Sequence, residues 1–272
     1  PHGGGTCLAD SPSGGYANSA DTWAQTAVNL LGSTWPVLKF WDKCSIATPD
    51  WGWVEVSSDG SSWTRVYGIN VAVGAWTERR IDLSPWRQQT NLRIRFRMWT
   101  DGSTAADGWF IDDVSVTEHA PQAFALPFTE RFEQGLTNWI TARWTATTNV
   151  PKDGALAAVD TAGTVMSPDT QQAMTLGGAL DLTGTTNPQL TFWMRGTMWD
   201  RSRMQVQVST DNGVSWPAVH TSYNDWNAGT VWQRVQVSLS GYRVANVRLR
   251  LITWAEWGTQ PDMDLYIDKF TM

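Results

Sequence analysis

The chain has 272 residues, a formal net charge of −6, only 17% charged side chains, and 23 glycines and 19 tryptophans. That length suits two domains of ordinary size, each able to bury its own core. The acidic balance argues against a nucleic-acid partner, which needs a clustered basic surface, and no apolar run reaches the roughly 20 residues of a membrane-crossing helix, so no membrane insertion is expected.

The chain opens at Pro1 with neither Met nor a leader, the pattern of a processed or excised fragment. Cys7 and Cys44 are its only cysteines. If paired, they tie the N-terminal segment to the strand after Phe40 and imply an oxidising compartment; the alternative is two unrelated thiols. Nearly every periodic segment alternates with period two, and none shows three turns of helical spacing. The strands are short, rich in Val, Ile, Thr and aromatics, and punctuated by Gly, Pro, Asn and Asp. In the segment at 53–57, Val54 and Val56 point one way and Trp53, Glu55 and Ser57 the other, and Asp59-Gly60 supplies the positive φ of a tight hairpin. Arg93, Arg95 and Arg97 alternate with Leu92, Ile94, Phe96 and Met98, which reads as the wet face of a strand.

The hairpin then recurs. Val54-Glu55-Val56-Ser57-Ser58-Asp59-Gly60-Ser61-Ser62-Trp63 matches Val206-Gln207-Val208-Ser209-Thr210-Asp211-Asn212-Gly213-Val214-Ser215-Trp216. Its flanks match too: 35–41 with 187–193, 76–84 with 232–240, 92–96 with 247–251, and Phe110-Ile111-Asp112-Asp113-Val114-Ser115-Val116 with Tyr266-Ile267-Asp268-Lys269-Phe270-Thr271-Met272. A period this long marks two whole domains and not a solenoid. The expected boundaries are 1–118, a linker at 119–126, and 127–272, each domain a two-sheet β-sandwich. The second opens with an additional strand and turn, Pro127 to Trp139, that has no counterpart in the first, so the first is expected to lack an N-terminal strand or to have that edge supplied from elsewhere.

Asp10-Ser11-Pro12-Ser13-Gly14-Gly15-Tyr16, Leu38-Lys39-Phe40-Trp41, Gly52 to Gly60, and Asp107-Gly108-Trp109-Phe110-Ile111-Asp112-Asp113-Val114 together resemble the MAM-like jelly-roll module that accompanies immune inhibitor A metallopeptidases and other secreted bacterial peptidases. The match is close over the first domain and looser over the second. The resemblance implies two tandem jelly rolls of the concanavalin or galactose-binding kind, and an accessory, non-catalytic, extracellular or cell-surface role. It also implies calcium, with Asp10, Asp112 and Asp113 as ligands in the first domain and Asp160 and Asp268 at the matching positions of the second, where Lys269 replaces Asp113. Strand alternation turns Asp112 inward, where a carboxylate needs a partner or a metal; without metal, Asp10 makes an Asx turn and Asp112 accepts backbone N–H bonds.

Catalytic constellations are missing from the sequence: His2, His119 and His220 are scattered, with no His-Glu-x-x-His and no Gly-x-Ser-x-Gly. Ser209-x-Asp211-x-Gly213-x-x-Trp216 fits the Asp box of sialidases, a turn-capping device. Glu55 with Asp59 is the carboxylate pair a glycosidase reading would use. Of the tryptophans, Trp23, Trp35, Trp41, Trp63, Trp76, Trp193, Trp216 and Trp232 are assigned to cores. Trp51, Trp53, Trp199, Trp226, Trp254 and Trp257 fall in loops or on outward positions, where they could grip a glycan or a protein surface; Trp53 could instead lie under a neighbouring arginine or the other domain. The expected role is binding a glycan or protein surface or supporting an attached peptidase, with an adhesin or receptor-binding fragment, a structural spacer, and a glycosidase as alternatives.

Overall fold

The computed structural model describes residues 1–160, 167, 169–198, 202–222, 227–255 and 264–272, with backbone alone at 227 and 228. Its first half holds β1 (Leu8–Ala9), β2 (Asp21–Val28), β3 (Pro36–Ser45), β4 (Trp51–Ser57), β5 (Thr64–Ile69), β6 (Ala72–Asp82), β7 (Leu92–Trp99) and β8 (Gly108–Glu118). These form two four-stranded sheets, ordered β1-β8-β3-β6 and β2-β7-β4-β5. In that order the chain crosses between sheets at nearly every connection, which is the jelly-roll topology. Alternation builds the core: Leu92, Ile94, Phe96 and Met98 of β7 are buried while its arginines are not, and Phe40 packs edge-on against Tyr67 and Phe96. Each such side chain withdrawn from water stabilises the fold by roughly 1.5–3 kcal/mol.

The chain continues through β9 (Gln122–Phe124), β10 (Thr129–Glu130), β11 (Trp139–Thr141), β12 (Thr145–Thr147), β13 (Ala157–Val159), β14 (Gln171–Leu176), β15 (Gly178–Leu180), β16 (Gln189–Thr197), β17 (Ser202–Ser209), β18 (Ala218–Ser222), β19 (Asn227–Ser238), β20 (Arg248–Ala255) and β21 (Tyr266–Thr271). Its sheets run β12-β13-β21-β16-β19, with β10 also on β21, and β11-β14-β20-β17-β18. Without β10, β11 and β12, these are the two sheets of the first half over again. The chain is two tandem jelly rolls. Both last strands carry the same bulge, with Asp113 at φ 49° and Lys269 at φ 50° and a register shift against β3 and β16 at equivalent points.

All eight jelly-roll strands are present in the first half; what it lacks is a counterpart to β10, β11 and β12. Within the stretch expected as a linker, β9 pairs in parallel with β15, and His119 Nε2 lies 2.9 Å from the Gly177 carbonyl oxygen. The two halves are also packed together. Trp35 and Val37 bury against Ile140, the Arg248 guanidinium lies 3.7 Å over the Trp35 ring, and Arg79 Nη1 donates to the Ala142 carbonyl at 3.0 Å.

The expected Cys7–Cys44 disulfide is not formed; both thiols are free. The topology explains why. Cys44 pairs with Trp109 on one side of β8 and β1 lies on its other side, so two strand spacings, ~9.6 Å, separate the cysteines, beyond the ~7 Å Cα separation a disulfide bridges. Cys44 Sγ instead donates to the Val71 carbonyl at 3.1 Å.

Candidate functional site

The outer faces of β4 and β7 meet in register, Trp53 opposite Arg97, Glu55 opposite Arg95 and Ser57 opposite Arg93. Trp51 and Trp53, expected as exposed ligand platforms, are 2% and 4% exposed. The second half reaches Trp53, whose Nε1 donates to Ser167 Oγ at 3.0 Å. Arg65 lies 3.9 Å over the Trp53 ring, and Trp51 stacks parallel to it at 6.2 Å. Trp53 therefore belongs to the joint, and neither buried indole presents a face to a ligand.

Glu55 is buried among guanidinium groups. Arg95 Nε donates to its Oε2 at 2.6 Å, and Arg65 Nε and Arg97 Nη1 reach Oε1 at 3.4 Å each. A carboxylate can stay this dry only when paired so closely. Arg97 also grips Asp21 through two bonds of 2.7 and 2.8 Å, and this hydrogen bonding holds the Asp21 carboxyl below the usual carboxylate range. Arg95 stacks 3.9 Å over Trp63 and 5.4 Å from Trp23. Trp23, assigned to the core, is 55% exposed, because β2 is an edge strand whose Trp23 shares the outer face with Arg97.

Above this floor a cleft of ≈ 530 Å³ opens between the halves, lined by Glu55, Trp63, Arg65 and Arg97 from the first and by Asp169, Gln171 and Trp254 from the second. Trp254 lies on β20 and not in a loop, half-buried with Arg203 3.8 Å over its ring. Trp63 is likewise half-buried and not in the core. Two guanidinium-backed indoles thus flank carboxylate, amide and guanidinium groups in one recess. Trp199, Trp226 and Trp257, also expected to bind, lie outside the described residues.

No protein-family model matches the chain. A stretch of 115 residues is 32% identical to Bacillopeptidase F of Bacillus subtilis (strain 168), covering 39% of this chain. The match spans 8% of that protein's length. Among solved structures, the CBM22-1-CBM22-2 tandem domain of Paenibacillus barcinonensis Xyn10C covers 98% of this chain and 96% of its own at 11% identity and a TM-score of 0.37. The K1 cleaved adhesin domain of Lys-gingipain from Porphyromonas gingivalis W83 covers 54% and 97% at 16% identity and a TM-score of 0.39. Similarities this low leave the functional reading to the residues.

The acidic residues expected to bind calcium do not fit that ion. Asp112 Oδ2 accepts the His2 and Gly3 amides at 2.6 and 3.1 Å, and Oδ1 accepts the Asp113 amide at 2.8 Å. Asp268 repeats the pattern with the amides of Lys152, Asp153 and Lys269 at 2.7, 2.9 and 2.6 Å. Lone pairs aimed at N–H donors are turned away from a cation, which wants six to eight oxygens. Asp10 Oδ1 accepts the Trp109 amide at 2.7 Å, and Asp160 Oδ1 accepts the Leu265 amide at 3.0 Å. Asp113 faces His2 Nδ1 at 2.7 Å. Among the described residues, no three His, Cys, Asp or Glu side chains gather as a metal site. Asp10 and Asp112 are matched in the second half by Asp160 and Asp268, all four as acceptors of backbone amides, whereas Asp113 has Lys269 as its counterpart.

The two hairpins close on their aspartates. Asp59 Oδ1 accepts the amides of Ser61 and Ser62 at 2.7 Å and the Ser57 hydroxyl at 3.0 Å; bonds from Ser62, Ser61 and Ser57 hold its carboxyl well below the usual range. In the second copy, burial raises the Asp211 carboxyl, but bonds from Ser215 and Ser209 outweigh it and bring the group to about 2. Trp216 Nε1 donates to the Gly213 carbonyl at 2.9 Å. A group held ionised in this way does not serve as the proton donor to a leaving oxygen that a glycosidase pair needs. Sequence reading missed Trp63, Arg65, Asp169 and Gln171 as cleft residues; the outward arginine run was the one signal pointing to that face.

Proposed function

We propose that the chain is a non-catalytic, MAM-like accessory region of a secreted peptidase-type protein, and that the cleft between its jelly rolls binds a glycan. The observation that carries this reading is the joint presence of Trp63 and Trp254 beside Glu55, Arg97, Asp169 and Gln171. Sugar rings offer an apolar C–H face to an indole and hydroxyl pairs to carboxylates, guanidiniums and amides, and this recess presents both chemistries. The partial match to Bacillopeptidase F supports the peptidase context. Glycan-array screening followed by calorimetry tests the proposal. Binding should weaken at least about tenfold in Trp63→Ala and in Trp254→Ala, the ~1.4 kcal/mol of one stacking contact. A blank array, or affinity unchanged in both variants, would overturn it.

A further inference from the structure

The strands β8 and β21 are the same strand in the two repeats, yet their outer sides are treated differently. Along β21, Ala158 and Val159 pair with Ile267 and Tyr266, and Thr129 and Glu130 pair with Thr271 and Phe270. Phe128 and Met272 then exchange both backbone bonds, at 2.9 and 2.8 Å. Along β8, only Ile111 and Phe110 are paired on that side, by Leu8 and Ala9. Beyond Asp113 no described strand lies there, and Val114, Ser115 and Thr117 are exposed.

The second sheet shows the same contrast. Trp139, Ile140 and Thr141 pair with Leu176, Thr175 and Met174 of β14, whereas β2, which holds the place of β14, is an edge among the described residues. A third edge follows: β12 covers β13, while no described strand covers β1. In the second half, one segment, residues 128–147, seals all three edges. Trp139 packs perpendicular to Phe270 at 5.3 Å, and Trp144 Nε1 donates to the Gln172 carbonyl at 3.1 Å. Residues at matching positions measure the consequence. Phe270 is 1% exposed and Ala158 fully buried, but Val114 and Leu8 are 45% and 42% exposed. An apolar cleft of ≈ 190 Å³ remains between the sheets, lined by Leu8, Trp23, Phe96, Trp109 and Ile111 among others.

We propose that the open side of the first jelly roll is a docking site for a polypeptide strap with the chemistry of residues 128–147. Its first strand runs antiparallel to Val114–Val116 and carries an aromatic anchor onto Val114, and its second strand runs along β2 and brings in a tryptophan. This is strand addition to an exposed sheet edge, with side-chain pockets giving selectivity. The molecule itself displays the occupied form, which is why the occupant can be specified.

The test is a fusion of a second copy of residues 127–150 ahead of Pro1 of the full chain, since Pro151-Lys152 matches Pro1-His2 in the repeat. Amide hydrogen exchange at Val116, the counterpart of Met272, should slow by at least about tenfold, and the first melting transition should rise. A matched fusion carrying Ser at the grafted copies of Phe128 and Trp139 should exchange like the unfused chain. Unchanged exchange at Val116 in the fusion, or equal protection by the serine-bearing strap, would overturn the proposal.

Discussion

Asp42 and Arg79 of the first half occupy the positions that Met194 and Val235 hold in the second, and the difference shows how one fold tolerates two kinds of core. Asp42 is fully buried; Arg79 Nε donates to its Oδ1 at 2.8 Å, and Tyr67 and Trp109 donate to its Oδ2 at 3.1 and 3.2 Å. Met194 is equally buried, with Val235 on the paired strand. The ion pair is not required by the jelly roll. Its second role is at the joint, where Arg79 also binds the Ala142 carbonyl. A similar exchange marks the outer face: Arg95 meets Glu55 at 2.6 Å where Arg250 meets Gln207 Oε1 at 2.7 Å, each stacked on the tryptophan closing its hairpin. Burial lowers Arg250 to about 10, against the opposing pull of the Asp82 charge.

The largest effect is therefore expected from Asp42→Ala. Stranding Arg79 in a dry core should cost about 3–5 kcal/mol, read by urea unfolding. The double replacement Asp42→Met with Arg79→Val places the second half's residues at both positions and should recover part of that loss. Apolar groups replace a buried ion pair at little cost, while Tyr67 and Trp109 lose the acceptor they share. A single variant that loses under about 1 kcal/mol would mean that water reaches Arg79 and the contrast between the cores is false.

The paired caps Asp112 and Asp268 should titrate in opposite directions. Burial raises Asp268 against its three backbone bonds; at Asp112 burial also opposes, but bonds from Asp113, His2 and Gly3 win and lower it. A folded value above the unfolded one means that the folded protein takes its proton first. The burden of Asp268 is thus relieved as pH falls through its folded pKa towards 3.8. Asp112 has the reverse sign: its contribution is present above the unfolded value and is lost as pH falls through its depressed folded pKa. Carboxyl carbon NMR titration checks this, and values for the two residues on the same side of 3.8 would erase the distinction. Asp268→Ala, which leaves the Lys152, Asp153 and Lys269 amides without their acceptor, should cost about 2 kcal/mol, more than Asp112→Ala, whose His2 neighbour is exposed.

The duplicated jelly roll is legible in the sequence because strand period, hairpin chemistry and repeat order all point the same way. The site is less so, for reasons that particular residues expose. Alternation places Trp53 on the outer face correctly, but whether that face meets water depends on Ser167 of the other half. Pairing Trp63 with Trp254 across the cleft needs the joint geometry, which no local pattern carries. The bulges at Asp113 and Lys269 break the alternation that aimed Asp112 inward, and since neither residue is Gly, nothing in the sequence announces their positive φ.

The smallest effects concern the cysteines, which the comparison marks as incidental to the fold. The second half has Ala157 and Gly196 where the first has Cys7 and Cys44, so a bridge is no part of the shared framework. Burial, reinforced by the nearby Asp42 charge, pushes the Cys44 thiol up to about 12, leaving almost no thiolate at pH 8. A thiol-reactive chromophore should label Cys7 rapidly and Cys44 only on unfolding, and neither reductant nor a calcium chelator should move the melting temperature. Two fast thiols would place Cys44 at the surface. A native protein that oxidises in air to an intramolecular Cys7–Cys44 bridge would require β1 to leave the edge of β8, and with it the bond from the Trp109 amide to Asp10 that now fixes the end of that strand.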